Sequence, residues 1–197
     1  MTASAEDDAR LVERCQRGDR EALDQLVRRY RATAYKFALR LTGDPDSAAD
    51  LTAEAFVRVF MKIGRFRRES RFSTWLYRIL TNCFLDLCKR ERVRRHQSIE
   101  ELVRTEESDV GRQYSAAEDS PQVDVEKAER NRLLQEAILH LPEYQRAMIV
   151  MFHVQMLSYE EIAETLDMPL GTVKSRLNRA RLMLREVLEP VQELFQV

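Results

Sequence analysis

A run of hydrogen-bond donors near the C-terminal end of the chain is the strongest chemical feature of the sequence. Residues 171–185 carry five basic side chains and no acidic one. Arginine and lysine can donate to guanine O6 and N7, asparagine can pair with adenine, and serine or threonine can contact a phosphate or a base. On a helix, the outward face would therefore hold a set of residues suited to reading duplex DNA: Thr172, Lys174, Ser175, Arg176, Asn178, Arg179 and Arg181.

The preceding residues predict the rest of a helix-turn-helix. Ser158 and Glu161 have the spacing of a capping box, in which each side chain satisfies the backbone amide of the other residue. A turn at 167–171 then leads into a second helix with an apolar inward side, Val173, Leu177, Ala180 and Leu184. In this motif the second helix lies in the major groove of DNA. The alternative is a cationic helix face that contacts only solvent.

A second cluster alternates basic and aromatic residues over positions 65–72 and has no helical period, which predicts a loop. Cations follow phosphates and aromatic surfaces hold unstacked bases, so this cluster suits single-stranded DNA. Ser73 is the predicted N-cap of the helix that follows. Phe72 and Trp75 have an alternative interpretation as ordinary core residues.

Charge divides the chain into three parts. Residues 62–95 hold eleven basic and three acidic side chains, a net charge of +8, whereas 97–126 hold two basic and nine acidic, a net charge of −7. Two basic regions on either side of an acidic segment indicate two nucleic-acid contacts on one chain. We expect two small helical domains, 1–95 and 127–197, joined by a flexible acidic linker at 96–126.

The elements that position these clusters are predicted to be helices throughout. Apolar residues recur at steps of three and four from Asp19 to Leu41 and again from about Asp46 to Ile63. Gly43 is placed to end the first of these helices in the left-handed conformation. The predicted fold class is all-α.

Several function classes are disfavoured. Three cysteines, Cys15, Cys83 and Cys88, without a CxxC pair make a disulfide framework or a zinc site improbable. No phosphate-binding glycine loop, HExxH sequence or nucleophile with a nearby base indicates an enzyme or a cofactor. The acidic, polar N-terminus lacks the features of a secretory signal and no apolar run is long enough for a membrane span, so we expect a cytoplasmic protein without membrane insertion.

Two sets of motifs resemble the extracytoplasmic-function sigma factors of RNA polymerase. In the C-terminal half, Leu141–Arg146, Leu157–Ala163 and Leu170–Arg181 are similar to sigma region four, although Asp167 stands where the family usually has Gly. In the N-terminal half, Asp50–Phe60 is similar to the segment of sigma region two that docks on the β′ clamp helices. Phe72–Ile79 with Asn82 resembles the segment that melts and reads the minus-ten element.

The resemblance implies a protein that binds core RNA polymerase through the β′ clamp helices and the β flap, and that directs promoter-specific initiation. The helix-turn-helix would read the minus-thirty-five element. Residues 65–73 would hold a flipped base of the non-template strand. The acidic linker would thread toward the active-site and RNA-exit channels, and an anti-sigma protein would be a further partner.

Two residue sets follow from the resemblance. The polymerase contact would comprise Asp50, Leu51, Glu54, Phe56, Val57 and Phe60. The minus-ten contact would comprise Arg65, Arg67, Arg68, Arg71, Phe72, Ser73, Trp75, Asn82, Asp86, Lys89 and Arg90.

Two alternatives remain open at this point. One is a stand-alone helix-turn-helix regulator that binds duplex DNA as a dimer, and the other is a decoy that binds polymerase or an inhibitor without reading DNA. A requirement for core polymerase in sequence-specific binding would separate the first from a sigma factor. The cationic segment at 171–185 weighs against the second.

Overall fold

The structure, a computed structural model, describes residues 2–102 and 125–191. Within these ranges every regular element is helical, which confirms the all-α prediction. The main helices are α1 (Thr2–Gln16), α2 (Arg20–Thr42), α3 (Pro45–Lys62), α4 (Phe72–Leu102), α5 (Val125–Leu139), α6 (Glu143–Ile149), α7 (Tyr159–Leu166) and α8 (Leu170–Leu188).

Helices α1 to α4 form a bundle around a core in which α2, α3 and α4 contribute the largest share. Phe37, Leu76 and Leu80 are completely buried there. The predicted helix boundaries are close to the observed ones because local capping sets them. The Asp19 carboxylate accepts from the Ala22 amide at 3.1 Å and the Asp44 carboxylate accepts from the Ser47 amide at 2.8 Å. As predicted, Gly43 ends α2 in the left-handed region, with φ at +72°.

The structure adds one helix that was not predicted and corrects two local predictions. The sequence pattern did not indicate α1, which packs against α2 through Leu11 and Val12. Helix α4 begins at Phe72, and the Trp75 amide donates to the carbonyl of Arg71 at 3.1 Å, so Ser73 lies inside the first turn and is not the N-cap. The same helix runs on to Leu102, so the first residues of the predicted linker are helical, and 103–124 lie outside the described residues.

The C-terminal half forms the predicted helix-turn-helix from α7 and α8. The capping box is present: the Glu161 amide donates to Ser158 Oγ at 3.1 Å, and the Ser158 amide donates to Glu161 Oε2 at 2.9 Å. Asp167 takes the left-handed conformation, with φ at +51°, as expected for a residue that tolerates it better than most. Pro142 lies just before α6 and not in its first turn, and α6 continues into a π-helical segment, Val150–Val154, that the pattern did not predict.

The two halves pack directly against each other in one continuous core. Arg146 of α6 donates to the carbonyl of Leu41 at the end of α2 at 2.7 Å, and to the carbonyls of Leu139 and Leu141 at 2.6 and 3.2 Å. Its guanidinium also lies 5.7 Å from the ring centre of Phe84. One side chain therefore joins the end of α2, the end of α5 and the middle of α4.

Three further contacts cross the same boundary. Gln135 of α5 exchanges two hydrogen bonds with Arg40 of α2, at 3.0 and 3.1 Å. Arg92 of α4 forms an exposed ion pair with Glu143 at 2.8 Å. The Thr74 hydroxyl donates to Glu161 Oε1 at 3.3 Å, which brings the start of α4 against α7.

Candidate nucleic-acid interface

The outward face of α8 presents part of the predicted DNA-reading set to solvent. Lys174, Ser175, Asn178 and Arg179 are exposed, whereas Val173, Leu177 and Ala180 are completely buried beneath them. The steps of three and four place the four polar residues on one strip of the helix. Thr172 is half-buried, and its carbonyl accepts from Ser175 Oγ at 3.0 Å. The strip is free to enter a groove.

Arg176 and Arg181, from the same predicted set, are half-buried and make contacts inside the domain. Arg176 lies 5.7 Å from the ring centre of Tyr144. Arg181 lies 4.9 Å from the ring centre of Phe152 and donates to the Tyr159 hydroxyl at 3.2 Å. The two cation–π contacts hold α8 against α6 and the π-helical segment, and the hydrogen bond to Tyr159 holds it against α7. The predicted set therefore divides into a solvent-facing strip and two bracing arginines.

The basic-aromatic loop has the same division between exposed cations and packed rings. Arg65, Arg67, Arg68 and Arg71 are all exposed. Phe66 stacks on the half-buried Trp75 with ring centres 4.6 Å apart, and Phe72 packs against Phe66, Trp75 and Tyr30. Phe72 is only 4% exposed, so it serves mainly as core, while the cations project outward.

A cavity of about 280 Å³ opens beside this loop. Phe66, Phe72 and Tyr30 supply apolar wall, and Arg68, Ser70, Arg71 and Ser73 supply polar rim. Arg68 has φ at +59°, an unusual backbone conformation for a residue with a Cβ. Backbone strain of this kind concentrates at binding sites.

The remaining wall of the cavity comes from α1, which the sequence pattern did not indicate. Asp8, Ala9 and Val12 line it. Asp8 is 6% exposed, and its carboxylate accepts from Arg29 at 2.5 Å and from the hydroxyl of Tyr30. Burial, followed by the bond to Asp8, raises the pKa of Tyr30, so this hydroxyl keeps its proton. In the sequence, Asp8 is one of several acidic residues near the N-terminus and resembles a surface residue. Its buried position becomes evident only from its contacts with Arg29 and Tyr30.

Farther along α4, the predicted minus-ten residues Asn82, Asp86, Lys89 and Arg90 are all exposed on one face. Two of them also pair with α3. Arg58 donates to Asp86 at 2.9 Å and to Glu54 at 2.6 Å, and Arg90 approaches Glu54 at 3.4 Å. The two contacts proposed for polymerase and for DNA thus share one network of charged side chains.

The predicted polymerase-binding segment lies on α3 and exposes an apolar patch. Val57 and Phe60 are 54% and 60% exposed, and Met61, which the sequence reasoning missed, is 73% exposed. Such a cluster of exposed large apolar side chains is typical of a protein-binding surface. Asp50 is exposed, while Glu54 and Phe56 are half-buried. Leu51 is 2% exposed, so it supports the helix from the core and does not face a partner.

The three cysteines lie within the described ranges and carry free thiols. Cys83 is completely buried, and Cys88 is half-buried. Burial raises the pKa of the Cys83 thiol to about 11 and that of Cys88 to about 11. Both thiols are therefore poor nucleophiles near neutral pH.

Comparison with known proteins tests the resemblance. Residues 26–96 match the family described as Sigma-70 region 2, and residues 131–184 match Sigma-70, region 4. The chain is 34% identical over 177 residues to the ECF RNA polymerase sigma factor SigW of Bacillus subtilis, covering 90% of this chain and 94% of the relative. It is 35% identical over 189 residues to the RNA polymerase sigma-H factor of Pseudomonas aeruginosa, covering 94% and 96%.

The chain belongs to the ECF sigma factors of RNA polymerase.

Solved structures agree with this assignment. The sigma factor RpoE of Bartonella quintana, in complex with the anti-sigma factor NepR, has a TM-score of 0.62 at 25% identity, covering 84% of this chain and 96% of that one. CnrH in complex with the cytosolic domain of CnrY has a TM-score of 0.63 at 23% identity, covering 93% and 98%, and supports the fold. The sigma factors are not known as an enzyme family. Among the described helices of this sigma factor, none is long and apolar enough to cross a membrane.

Proposed function

We propose that this alternative sigma factor directs transcription initiation by reading two promoter elements with two separate surfaces while its α3 patch holds core polymerase. The observation that carries the proposal is the presence, on one chain, of a solvent-facing donor strip on α8 and a cation-rimmed cavity beside the 65–73 loop. A stand-alone regulator would need only the first of these. The α3 patch would then have no role.

For the minus-thirty-five element, the proposed readers are the exposed residues of α8. Lys174 and Arg179 suit guanine or phosphate, Asn178 suits adenine, and Ser175 suits either a base or a phosphate. Thr172, Arg176 and Arg181 lie at the edges of this strip. Since Arg176 and Arg181 also brace the domain, replacing either arginine would reduce both DNA binding and stability.

For the minus-ten element, the loop arginines would follow the phosphates and the cavity would hold one unstacked base. Extruding a base costs a few kcal/mol, so promoter sequence would decide whether melting succeeds. Asn82, Asp86, Lys89 and Arg90 extend this contact along α4. Phe72 and Trp75 would act by shaping the cavity wall and the loop beside it.

The proposed polymerase contact centres on Val57 and Phe60 of α3, with Asp50, Glu54 and Phe56 around them and Met61 added to the set. The clamp helices of β′ and the flap of β are the proposed partners, and an anti-sigma protein is a further one. A role beside polymerase implies a cytoplasmic location. The proposed division of the chain is 1–95, an acidic connecting segment at 96–126 whose two ends belong to α4 and α5, and 127–197.

The decisive experiment is run-off transcription with purified core polymerase on a pool of genomic promoter fragments. We expect discrete new start sites that depend on this protein. Replacing Lys174 and Arg179 with Ala should abolish protection of the upstream element, whereas Arg185→Ala and Glu186→Ala, exposed farther along the same helix, should retain it.

Two outcomes would contradict the proposal. If the protein bound duplex promoter DNA alone and ignored core polymerase, the stand-alone regulator would replace it. If the protein bound core but yielded no transcript, the decoy would replace it. Phe60→Glu should remove core binding, and Val93→Glu, at an exposed apolar residue of α4, serves as the matched control.

A further inference from the structure

The cavity beside the 65–73 loop is lined by one acidic residue, Asp8, in addition to the basic residues Arg68 and Arg71. Asp8 of α1 lines the cavity wall and is only 6% exposed to solvent. A buried carboxylate costs stability unless it is hydrogen-bonded, and here Arg29 and Tyr30 bond one oxygen each. The group is therefore fixed in position from behind.

A carboxylate held by two donors still has capacity to accept. Its two oxygens offer about four lone-pair sites in total, of which Arg29 and Tyr30 use two. Asp8 is one of the residues that line the cavity, and its carboxylate keeps acceptor capacity beyond the bonds to Arg29 and Tyr30. Ser70 and Ser73, which also line the cavity, carry hydroxyls that can donate to a ring nitrogen.

The size and chemistry of the cavity fit one planar heterocycle. Its volume of about 280 Å³ lies at the lower limit of small-molecule sites, and aromatic rings from Tyr30, Phe66 and Phe72 form the apolar part of its lining. Arg68 and Arg71 at the rim would contact the flanking phosphates.

We infer that Asp8 sets base specificity in this cavity by accepting a hydrogen bond from the exocyclic amine of the flipped base, so that cytosine or adenine is favoured over thymine. This inference rests on the proposed melting function. Cytosine and adenine present an amine donor beside a ring-nitrogen acceptor, which complements an aspartate acceptor and a serine hydroxyl that line the same cavity. Thymine presents a carbonyl oxygen at the position of the amine, and that oxygen would face the carboxylate with no proton between them.

The first test changes the DNA and leaves the protein intact. On a promoter whose flipped position carries cytosine, exchange for 2-pyrimidinone removes only the amine, and exchange for 5-methylcytosine keeps it. We expect about a tenfold loss of run-off transcript for 2-pyrimidinone, the effect of one discriminating base contact, and little change for 5-methylcytosine. Equal transcript from all three templates would overturn the inference.

The second test changes the protein. Asp8→Asn keeps the shape of the side chain but adds an amide donor, which can bond the thymine carbonyl. The preference of this variant for cytosine or adenine over thymine should therefore fall to less than about threefold. Asp7→Asn is the matched control. Asp7 also pairs with Arg29, at 2.6 Å, but its side chain is 57% exposed and does not line the cavity. This control should retain the wild-type preference.

Failure of the inference and failure of the proposed function give different results. The fluorescent analogue 2-aminopurine, placed at each minus-ten position in turn, brightens where a base leaves the stack. If no position brightens with holoenzyme, the proposed melting function fails. If one position brightens but the base preference there is the same for wild type and for folded Asp8→Asn, only the role of Asp8 fails.

Discussion

The turn between α7 and α8 depends on one residue in a conformation that costs energy. Asp167 has φ at +51° and is exposed, so its side chain contributes little packing. Glycine adopts this conformation without the penalty of a Cβ. We predict that Asp167→Gly raises the free energy of unfolding by up to about 1 kcal/mol and that Asp167→Val lowers it by about 1–2 kcal/mol.

Urea denaturation of the two variants beside wild type measures both changes. The cap of α7 does not involve the Asp167 side chain, so Asp167→Ala isolates the backbone effect and should fall between them. A stabilised valine variant would show that the left-handed conformation does not persist in solution.

Alkaline pH should destabilise the protein through its buried thiols. Burial raises the pKa of Cys83 from 9.0 to about 11, so the protonated thiol stabilises the fold fully below pH 9. Above pH 9 the unfolded chain loses this proton first, and the stabilisation disappears as the pH rises through about 11. By pH 10.5 we predict a loss of about 2 kcal/mol from Cys83.

The measurement is the free energy of unfolding at pH 8.5 and at pH 10.5, for wild type and for Cys83→Ala. The variant lacks the titrating group and should lose correspondingly less stability over this interval. Cys88 and Tyr77, whose pKa values burial raises to about 11 and about 12, leave a residual slope. Identical pH dependence in both proteins would contradict the assignment.

Among single residues, the sequence predicted those whose role depends on local spacing. The capping box and the left-handed position at Gly43 follow from neighbouring residues, and the structure confirms them. The left-handed turn at Asp167 was expected from the resemblance to a family that usually has Gly there, and it is present. The pairing of Asp8 with Arg29 and Tyr30 joins two helices through side chains far apart in the chain. No periodicity in the sequence carries that information.

Among the helices, Arg146 of α6 is the residue that contacts α2, α4 and the end of α5 together. Its guanidinium donates to carbonyls at the ends of α2 and α5, where helix ends leave carbonyls without partners. We predict that Arg146→Ala lowers the free energy of unfolding by roughly 2–4 kcal/mol, since hydrogen bonds to charged groups contribute more than neutral ones. Arg146→Lys should recover little, because an ammonium group cannot reproduce the planar fork.

Arg92 provides a control at the same boundary. It is exposed and pairs with Glu143 at 2.8 Å; the backbone amide of Glu143 and then the bond to Arg92 lower the pKa of this glutamate. Exposed pairs contribute at most about 1 kcal/mol, and salt screens them. Arg92→Ala should therefore have a small effect that declines in high salt, measured by denaturation at two ionic strengths. Equal losses for Arg92→Ala and Arg146→Ala would contradict this ranking.

Helices with a continuous apolar stripe were predictable, and the others were not. Helix α2 buries residues at regular steps, from Leu26 to Leu41, so its period is clear in the sequence. Among the α1 side chains that the structure describes, the buried apolar ones are Leu11 and Val12, which are adjacent in the chain and form no repeating stripe. In the π-helical segment after α6, the Gln155 amide donates to the carbonyl of Val150, five residues earlier. The spacing of apolar residues in the sequence does not predict this hydrogen bond.

At the scale of the whole molecule, the N-terminal and C-terminal halves, each with a proposed DNA contact, lie against each other. Thr74, at the start of the minus-ten helix, and Glu161, in the helix-turn-helix, are joined by a hydrogen bond of 3.3 Å. The two promoter elements are separated by roughly 25 base pairs, or roughly 85 Å of B-form DNA at about 3.4 Å per step. We predict that the halves separate by tens of ångströms when the protein binds both elements.

Fluorescence energy transfer tests this opening. Dyes at Asp24 of α2 and Glu186 of α8, two exposed positions outside the proposed contacts, should show high transfer in the free protein and low transfer in holoenzyme on promoter DNA. The native cysteines are replaced in the labelled chain, and its transcription activity serves as the control. Unchanged transfer in an active complex would contradict the prediction.

The bond between Thr74 and Glu161 also has a thermodynamic consequence for promoter occupancy. Only the open fraction of molecules can span both elements, so the apparent dissociation constant equals the intrinsic one divided by that fraction. While the closed state predominates, each 1.4 kcal/mol removed from the closing contacts increases the open fraction about tenfold. We therefore expect Gln135 and Arg40, which lie outside the proposed DNA contacts, to influence how much factor a cell needs to fill a given promoter.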